Sequence, residues 1–242
     1  MADSFKIVVV AALQREISPL VRDWRLVLHE CEGRHFRFFE QDSTVVVCGG
    51  IGSEAARRAA QVAVALYQPQ LLLSAGFAGA LDQQVKVGQV FQPRTVIDAS
   101  DGSRTEIASG EGTLVSFPSL ASPAQKTSLA AAYGAQAVDM EAAAIARAAR
   151  THGIAFAALK AISDEARFEM PDLSPFVTQD GQLRTAALVA SAVVRPWMWR
   201  ALFQLGKNSA KASRALCDEL QRYLQKAGRS AVPELQAAGG LN

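Results

Sequence analysis

Histidine and cysteine are scarce: this 242-residue chain has three of each. The histidines (His29, His35, His152) and cysteines (Cys31, Cys48, Cys217) are scattered, with no CxxC and no close Cys/His spacing. That argues against a structural zinc site or a disulfide framework and predicts free thiols in a reducing, cytoplasmic setting. No apolar run approaches the ~20 residues needed to cross a bilayer. The opening MADSFKIVVV has no basic region and no small-residue cleavage site, so secretion is not expected. GxxxxGK[ST] and GxGxxG are both missing, which removes support for nucleoside triphosphates and dinucleotides. Net charge is also small, at 25 Lys+Arg against 23 Asp+Glu. What remains is 50% apolar and 20% charged, the profile of a globular protein.

The small net charge hides an asymmetry. Residues 195–229 carry eight Lys/Arg and two Asp/Glu, whereas residues 1–194 carry 17 against 20. The body is mildly acidic and the C-terminal segment basic. No nucleic-acid reading module accompanies that charge, so no nucleic-acid partner is expected.

Along the chain, β-branched and apolar runs alternate with helical stretches. The runs at 6–12, 44–48, 71–74 and 156–162 are apolar nearly throughout, which suits strands buried on both faces. Residues 53–67 read as an alanine-rich helix, 89–98 as strand-like, and 141–152 as a helix after a short strand at 137–140. Residues 98–119, rich in Gly, Ser and Thr, read as partly mobile. The fold class is therefore α/β: a single domain with a mixed central β-sheet flanked by helices. The domain is placed at 1–228, including a basic helical segment at 180–228 with a break at Pro196; 229–242 reads as a flexible tail.

Ligands of open α/β sheets sit at the carboxyl ends of strands. Five such places carry polar or glycine-rich elements: Glu16, the loop 49–52, the loop 76–79, the junction Asp139-Met140-Glu141, and Ser163-Asp164. Each has a bland reading: a tight turn needs glycine, a first-turn carboxylate suits the helix dipole, and Asp164 could be a helix cap. Three carboxylates near the ends of different strands are harder to dismiss. A shared pocket would push their pKa values apart.

The segments VVVAALQREISPL, VVVCGGIGSEAARRA, LLLSAGFAGALDQQVKVGQV, AVDMEAAAIARAA and FAALKAISDEA, in that order, resemble the purine nucleoside phosphorylase/nucleosidase superfamily. They look most like the branch of methylthioadenosine/S-adenosylhomocysteine nucleosidases. The C-terminal part, DGQLRTAALVASAVVRPWMWRALFQLGKNSAKASRAL, is more similar to the hopanoid-associated phosphorylase subgroup, thought to remove adenine from adenosylhopane. The resemblance implies cleavage of the N-glycosidic bond of a 5′-substituted adenosine. Asp164 would be the acid at purine N7, Ser163 its support, Glu141 the ribose clamp, Met140 the apolar residue against the ribose, and Glu16 the base that activates water. Asp139 stands where the nucleosidases usually have Glu. Phe77 stands where they usually have Ser, in a substrate-binding stretch with Ala78 and Gly79; Gly52 belongs to the glycine loop, and Phe117 would stack on the base. A carboxylate at position 16 repels phosphate, which favours hydrolysis over phosphorolysis; phosphate is a co-substrate only in the phosphorylase alternative. Arg15 is expected to point elsewhere, and Arg57 and Arg58 to be solvated. A third alternative is a non-catalytic nucleoside- or lipid-binding protein.

No metal or cofactor is expected. A homodimer is implied by resemblance alone. Residues 193–226 mix Trp197, Trp199 and Phe203 with Arg and Lys, which suits either packing on the protein itself or peripheral contact with an anionic inner-membrane surface. All three histidines read as surface residues.

Overall fold

The run IVVVA has no polar position to turn outward, so it needs cover on both faces. In the computed structural model it forms β1 (Ile7–Ala11), buried at every residue. Parallel neighbours lie on either side: β4 (Thr44–Cys48) and β5 (Leu71–Ala80). The structure describes residues 6–169, 174–176, 178, 181, 184, 187 and 199–238.

Among the described residues, eleven strands form one mixed sheet. A hairpin of β2 (Arg25–Cys31) and β3 (Arg34–Gln41) extends it beyond β4. On the other side, β5 leads to β10 (Ala137–Asp139), β9 (Thr113–Ser116), β7 (Thr95–Asp98) and β8 (Arg104–Glu106). The long β11 (Ala155–Asp164) runs parallel to β5, and the short β6 (Val90–Phe91) pairs with it.

One strand changes neighbours. The first half of β5 pairs with β1, from Leu71 to Ser74. Its far end pairs antiparallel with β10, at Gly79 and Ala80. β11 follows its other edge throughout. Between Ser74 and Gly79 the β1 side of β5 is released and not yet taken up by β10. The carboxyl ends of β1 and β10 point into that gap from opposite directions, which makes it the place where a ligand is expected.

Helices cover both faces. α1 (Gln14–Val21) and the long α5 (Trp199–Ala238) lie on one side, where Ile17, Val21, Leu216 and Leu220 meet Val9, Leu73 and Leu159. α2 (Ser53–Tyr67) and α4 (Ala142–Thr151) lie on the other, presenting Ala56, Ala59, Ala60, Ile145 and Ala149 to Val8, Val10 and Leu72. Alanine lets α2 approach closely: a Cβ on Gly49 would sit 2.7 Å from that of Ala59. α3 (Pro123–Tyr133) closes the β9/β10 end through Leu129.

Several sequence expectations need correction. Residues 98–119 hold two strands, β8 and β9, and β9 lies inside the sheet between β7 and β10. The strand-like stretch 89–98 is two strands split around Pro93, which has no N–H to give a ladder. α3 was not read from the sequence. His29 is half-buried, edge-on to Phe38 and Tyr67, whereas His35 and His152 are exposed. α5 runs to Ala238. The expected break at Pro196, and residues 193–198 of the aromatic-basic segment, lie outside the described residues.

Candidate active site

The gap beside β5 opens into a cavity of about 450 Å³. It is lined by residues from seven separate stretches of chain, among them Glu16, Gly52, Phe77, Asp139, Glu141 and Asp164. Each acidic group is brought there by a specific local device.

Glu16 lies in the first turn of α1, directly after β1. Its Oε2 accepts the backbone N–H of Leu13 at 3.3 Å, so the side chain folds back over its own helix start. A Cβ on Gly76 would come 3.0 Å from that oxygen, so glycine there lets the carboxylate lie close against β5. Burial pushes Glu16 up from 4.5 to about 7, opposed by the nearby Lys160 ammonium.

At the other side of the gap, Asp139 ends β10 and is wholly engaged. Its Oδ1 accepts Ser116 Oγ at 2.5 Å, and its Oδ2 accepts the Ala142 N–H at 2.9 Å and pairs with Lys160 Nζ at 2.8 Å. Ser116 Oγ in turn accepts the Ala143 N–H. The first N–H groups of α4 are thus satisfied by Asp139 and Ser116. Glu141, the residue that would cap α4, is left to reach across to Gly52, whose N–H it accepts at 2.8 Å. Burial, then the neighbouring Asp139, raise Glu141 from 4.5 to about 7.

Asp164 is aimed by an irregularity. The register of β11 against β5 shifts between Ile162 and Asp164, so Ser163 is an extra residue that redirects the strand end. Ser163 Oγ donates to Asp164 Oδ1 at 2.8 Å and to the Ala78 carbonyl at 3.4 Å. Asp164 Oδ2 is in close contact with the Lys126 ammonium, which also donates to the Glu165 carbonyl at 2.9 Å. Gly79 makes this possible: a Cβ there would lie 2.8 Å from Asp164 Oδ2 and 3.2 Å from Lys126 Nζ.

Of the residues singled out from sequence, Glu16, Gly52, Phe77, Ala78, Gly79, Asp139, Met140, Glu141, Ser163 and Asp164 all line the cavity. Phe117 does not. It packs against the core around Leu81, Ile97 and Val115. Arg15, expected to point away, is part of the lining. Arg57 and Arg58 both pair with Glu54 on the outer side of α2.

Two lysines escaped the sequence reading. Lys160 is 1% exposed in the middle of β11. Burial disfavours its charge, but Asp139, Glu141 and Glu16 outweigh that and leave its pKa raised. A lysine inside the apolar run FAALKAI was the available signal, since a charge there must be paired. Lys126 is 3% exposed and comes from α3, a helix the sequence reading did not contain. The Cys48 thiol, pushed up to about 12 by burial and then by Glu16, is no nucleophile. Among the described residues no cluster of His, Cys, Asp and Glu has the makings of a metal site.

Against the protein families, the chain matches the model of the Phosphorylase superfamily over residues 6–127 and 107–195, and it belongs to that superfamily. Comparison with curated proteins found no match. Among solved structures it is similar to the 5′-methylthioadenosine nucleosidase of Arabidopsis thaliana, with a TM-score of 0.71 at 19% identity over 91% of this chain and 95% of that one. The 5′-methylthioadenosine/S-adenosylhomocysteine nucleosidase of Helicobacter pylori gives a TM-score of 0.69 at 17% identity, covering 92% and 99%. Futalosine hydrolase of the same organism gives 0.63 at 18%, covering 89% and 98%. At these identities the likeness establishes the nucleosidase-type fold.

Proposed function

We propose that the protein cleaves the N-glycosidic bond of a 5′-substituted adenosine by water attack and releases adenine. The carrying observation is the meeting of Glu16, Glu141 and Asp164, from three distant strand ends, around one cavity. Adenine is a poor leaving anion, so the bond breaks only if the ring gains a proton. Asp164 lies at the end of β11 to deliver it, and general acids contribute roughly 10²–10⁴-fold. Glu141 accepts from ribose hydroxyls and offsets charge developing on the sugar. Glu16, poised near 7, takes the proton of the attacking water.

Two observations favour water over phosphate. The Gly52 N–H, which an anion-binding glycine loop would offer, is already taken by Glu141. Lys126, which lines the cavity, and Lys160, buried in β11, are also engaged, with Asp164 and Asp139 respectively, leaving Arg15 to face a cavity rich in carboxylates. The test is adenine release with and without phosphate. Equal rates are expected; strict phosphate dependence would overturn hydrolysis. Asp164→Asn should abolish turnover while substrate binding largely survives, whereas a purely ligand-binding protein would keep its role.

Leu13, Phe77, Leu120 and Leu205 give the cavity apolar walls, suited to a 5′ substituent ranging from methylthio to hopane-like. A lipid substituent would bring the protein to a membrane surface. The same reading includes a homodimer in the cytoplasm, peripheral to the inner membrane. Among the described residues no helix is long and apolar enough to cross a membrane.

A further inference from the structure

The cavity holds a cation that the mechanism so far does not use. Lys126 is almost wholly buried, yet it lines the cavity and is in close contact with the acid assigned to the purine. The placement is built, not incidental. Ser122 and Gln125 form a reciprocal cap at the start of α3, Pro123 occupies the first turn, and Lys126 follows in the next position. Its ammonium has three N–H donors, of which Asp164 Oδ2 and the Glu165 carbonyl use two. Glycine at 79 clears the space for both partners.

An ion pair at this spot poses a chemical question. An ionised carboxylate has no proton to give, and a purine needs one. We infer that the proton delivered to the departing base is stored on the Lys126 ammonium and reaches the ring through Asp164. As the C1′–N9 bond breaks, its electron pair passes to the purine. One proton moves from Lys126 Nζ to Asp164 and from Asp164 to N7. The water oxygen forms the new bond to C1′, and Glu16 takes the water's proton. The base leaves neutral, Lys126 is left as an amine and Glu16 as an acid. Exchange with solvent restores both. Lys126 acts through Asp164 and needs no contact with the substrate.

This rests on the nucleosidase reading and is tested separately from it. The two probes are 5′-methylthioadenosine and its N7-methylated cation, whose base leaves neutral without any protonation. Lys126→Arg is the decisive variant. It keeps a cation beside Asp164, but guanidinium does not release its proton in a protein. Lys126→Arg and Lys126→Met should each lose about 10²-fold or more in kcat on the first probe and stay within a few-fold of wild type on the second. If Lys126→Arg retains wild-type activity on the first probe, the lysine is only a structural cation and the inference fails. Equal losses on both probes also overturn it, as misplacement of the site. A wild type that cleaves the first probe but not the second rules out proton delivery at N7 and sinks it too. A wild type that cleaves neither, and releases no base from other purine nucleosides, overturns the nucleosidase reading itself. Should Lys126→Met be too unstable to purify, Lys126→Arg on the two probes still decides.

Discussion

Glu16 and Glu141 show what a buried carboxylate costs. Each has a folded pKa near 7 against an ordinary 4.5, so the fold favours the protonated form. The sign follows from proton binding: between about 4.5 and 7 the native state holds more protons than the unfolded one, so stability falls as pH rises through that window and levels off above it. For Glu16 the effect is on the order of 3 kcal/mol. Glu16→Gln should therefore lose catalysis yet melt several degrees above wild type at pH 8, with the gap shrinking towards pH 5. A gap that does not change with pH would contradict the raised pKa. Gly79→Ala makes the opposite kind of prediction. Its methyl would displace Asp164 or Lys126, so kcat should fall at least tenfold while the melting temperature moves little.

At the scale of the element, β11 is the most heavily used. It buries Lys160 midway and bends at Ser163 to aim Asp164. Lys160→Met removes the partner of Asp139 and should destabilise by about 3–5 kcal/mol in denaturant titration. Adding Asp139→Asn should restore part of that, because the stranded charge goes with it. Ser122→Ala removes the cap of α3 and should cost about 1 kcal/mol. The same elements explain what the sequence made legible. Strands β1, β4, β11 and the first half of β5 are apolar nearly throughout, so periodicity finds them; Glu16 follows β1 and Asp164 ends β11. β8 and β9 are short and sit among Gly, Ser and Thr, so their apolar content is too brief to register. β9 is recognisable only from its neighbours on either side. Missing α3 meant missing Lys126. The resemblance alone puts Phe117 at the base; packing instead seats it on the core cluster that includes Leu81 and Ile97.

For the molecule as a whole, charge is unevenly distributed. Described residues at the start of α5 place Trp199 and Phe203 at the surface, 56% and 66% exposed, with Lys207 over the Phe203 ring. On the proposed membrane reading, the protein should sediment with vesicles containing anionic lipid and not with neutral ones. Binding should weaken from 50 to 500 mM salt as screening grows. Phe203→Ala with Lys207→Ala should reduce it severalfold and leave cleavage of 5′-methylthioadenosine unchanged. Failure of wild type to bind anionic vesicles would remove the membrane from the reading.

The hydroxyl of Ser213 donates to the carbonyl of Glu16 at 3.0 Å and to that of Arg15 at 3.2 Å. An early residue is thus steadied by one made almost two hundred positions later. During synthesis the whole sheet can emerge and pair before that tether exists. Activity should therefore arrive late in translation, in a single step, when the last helix docks.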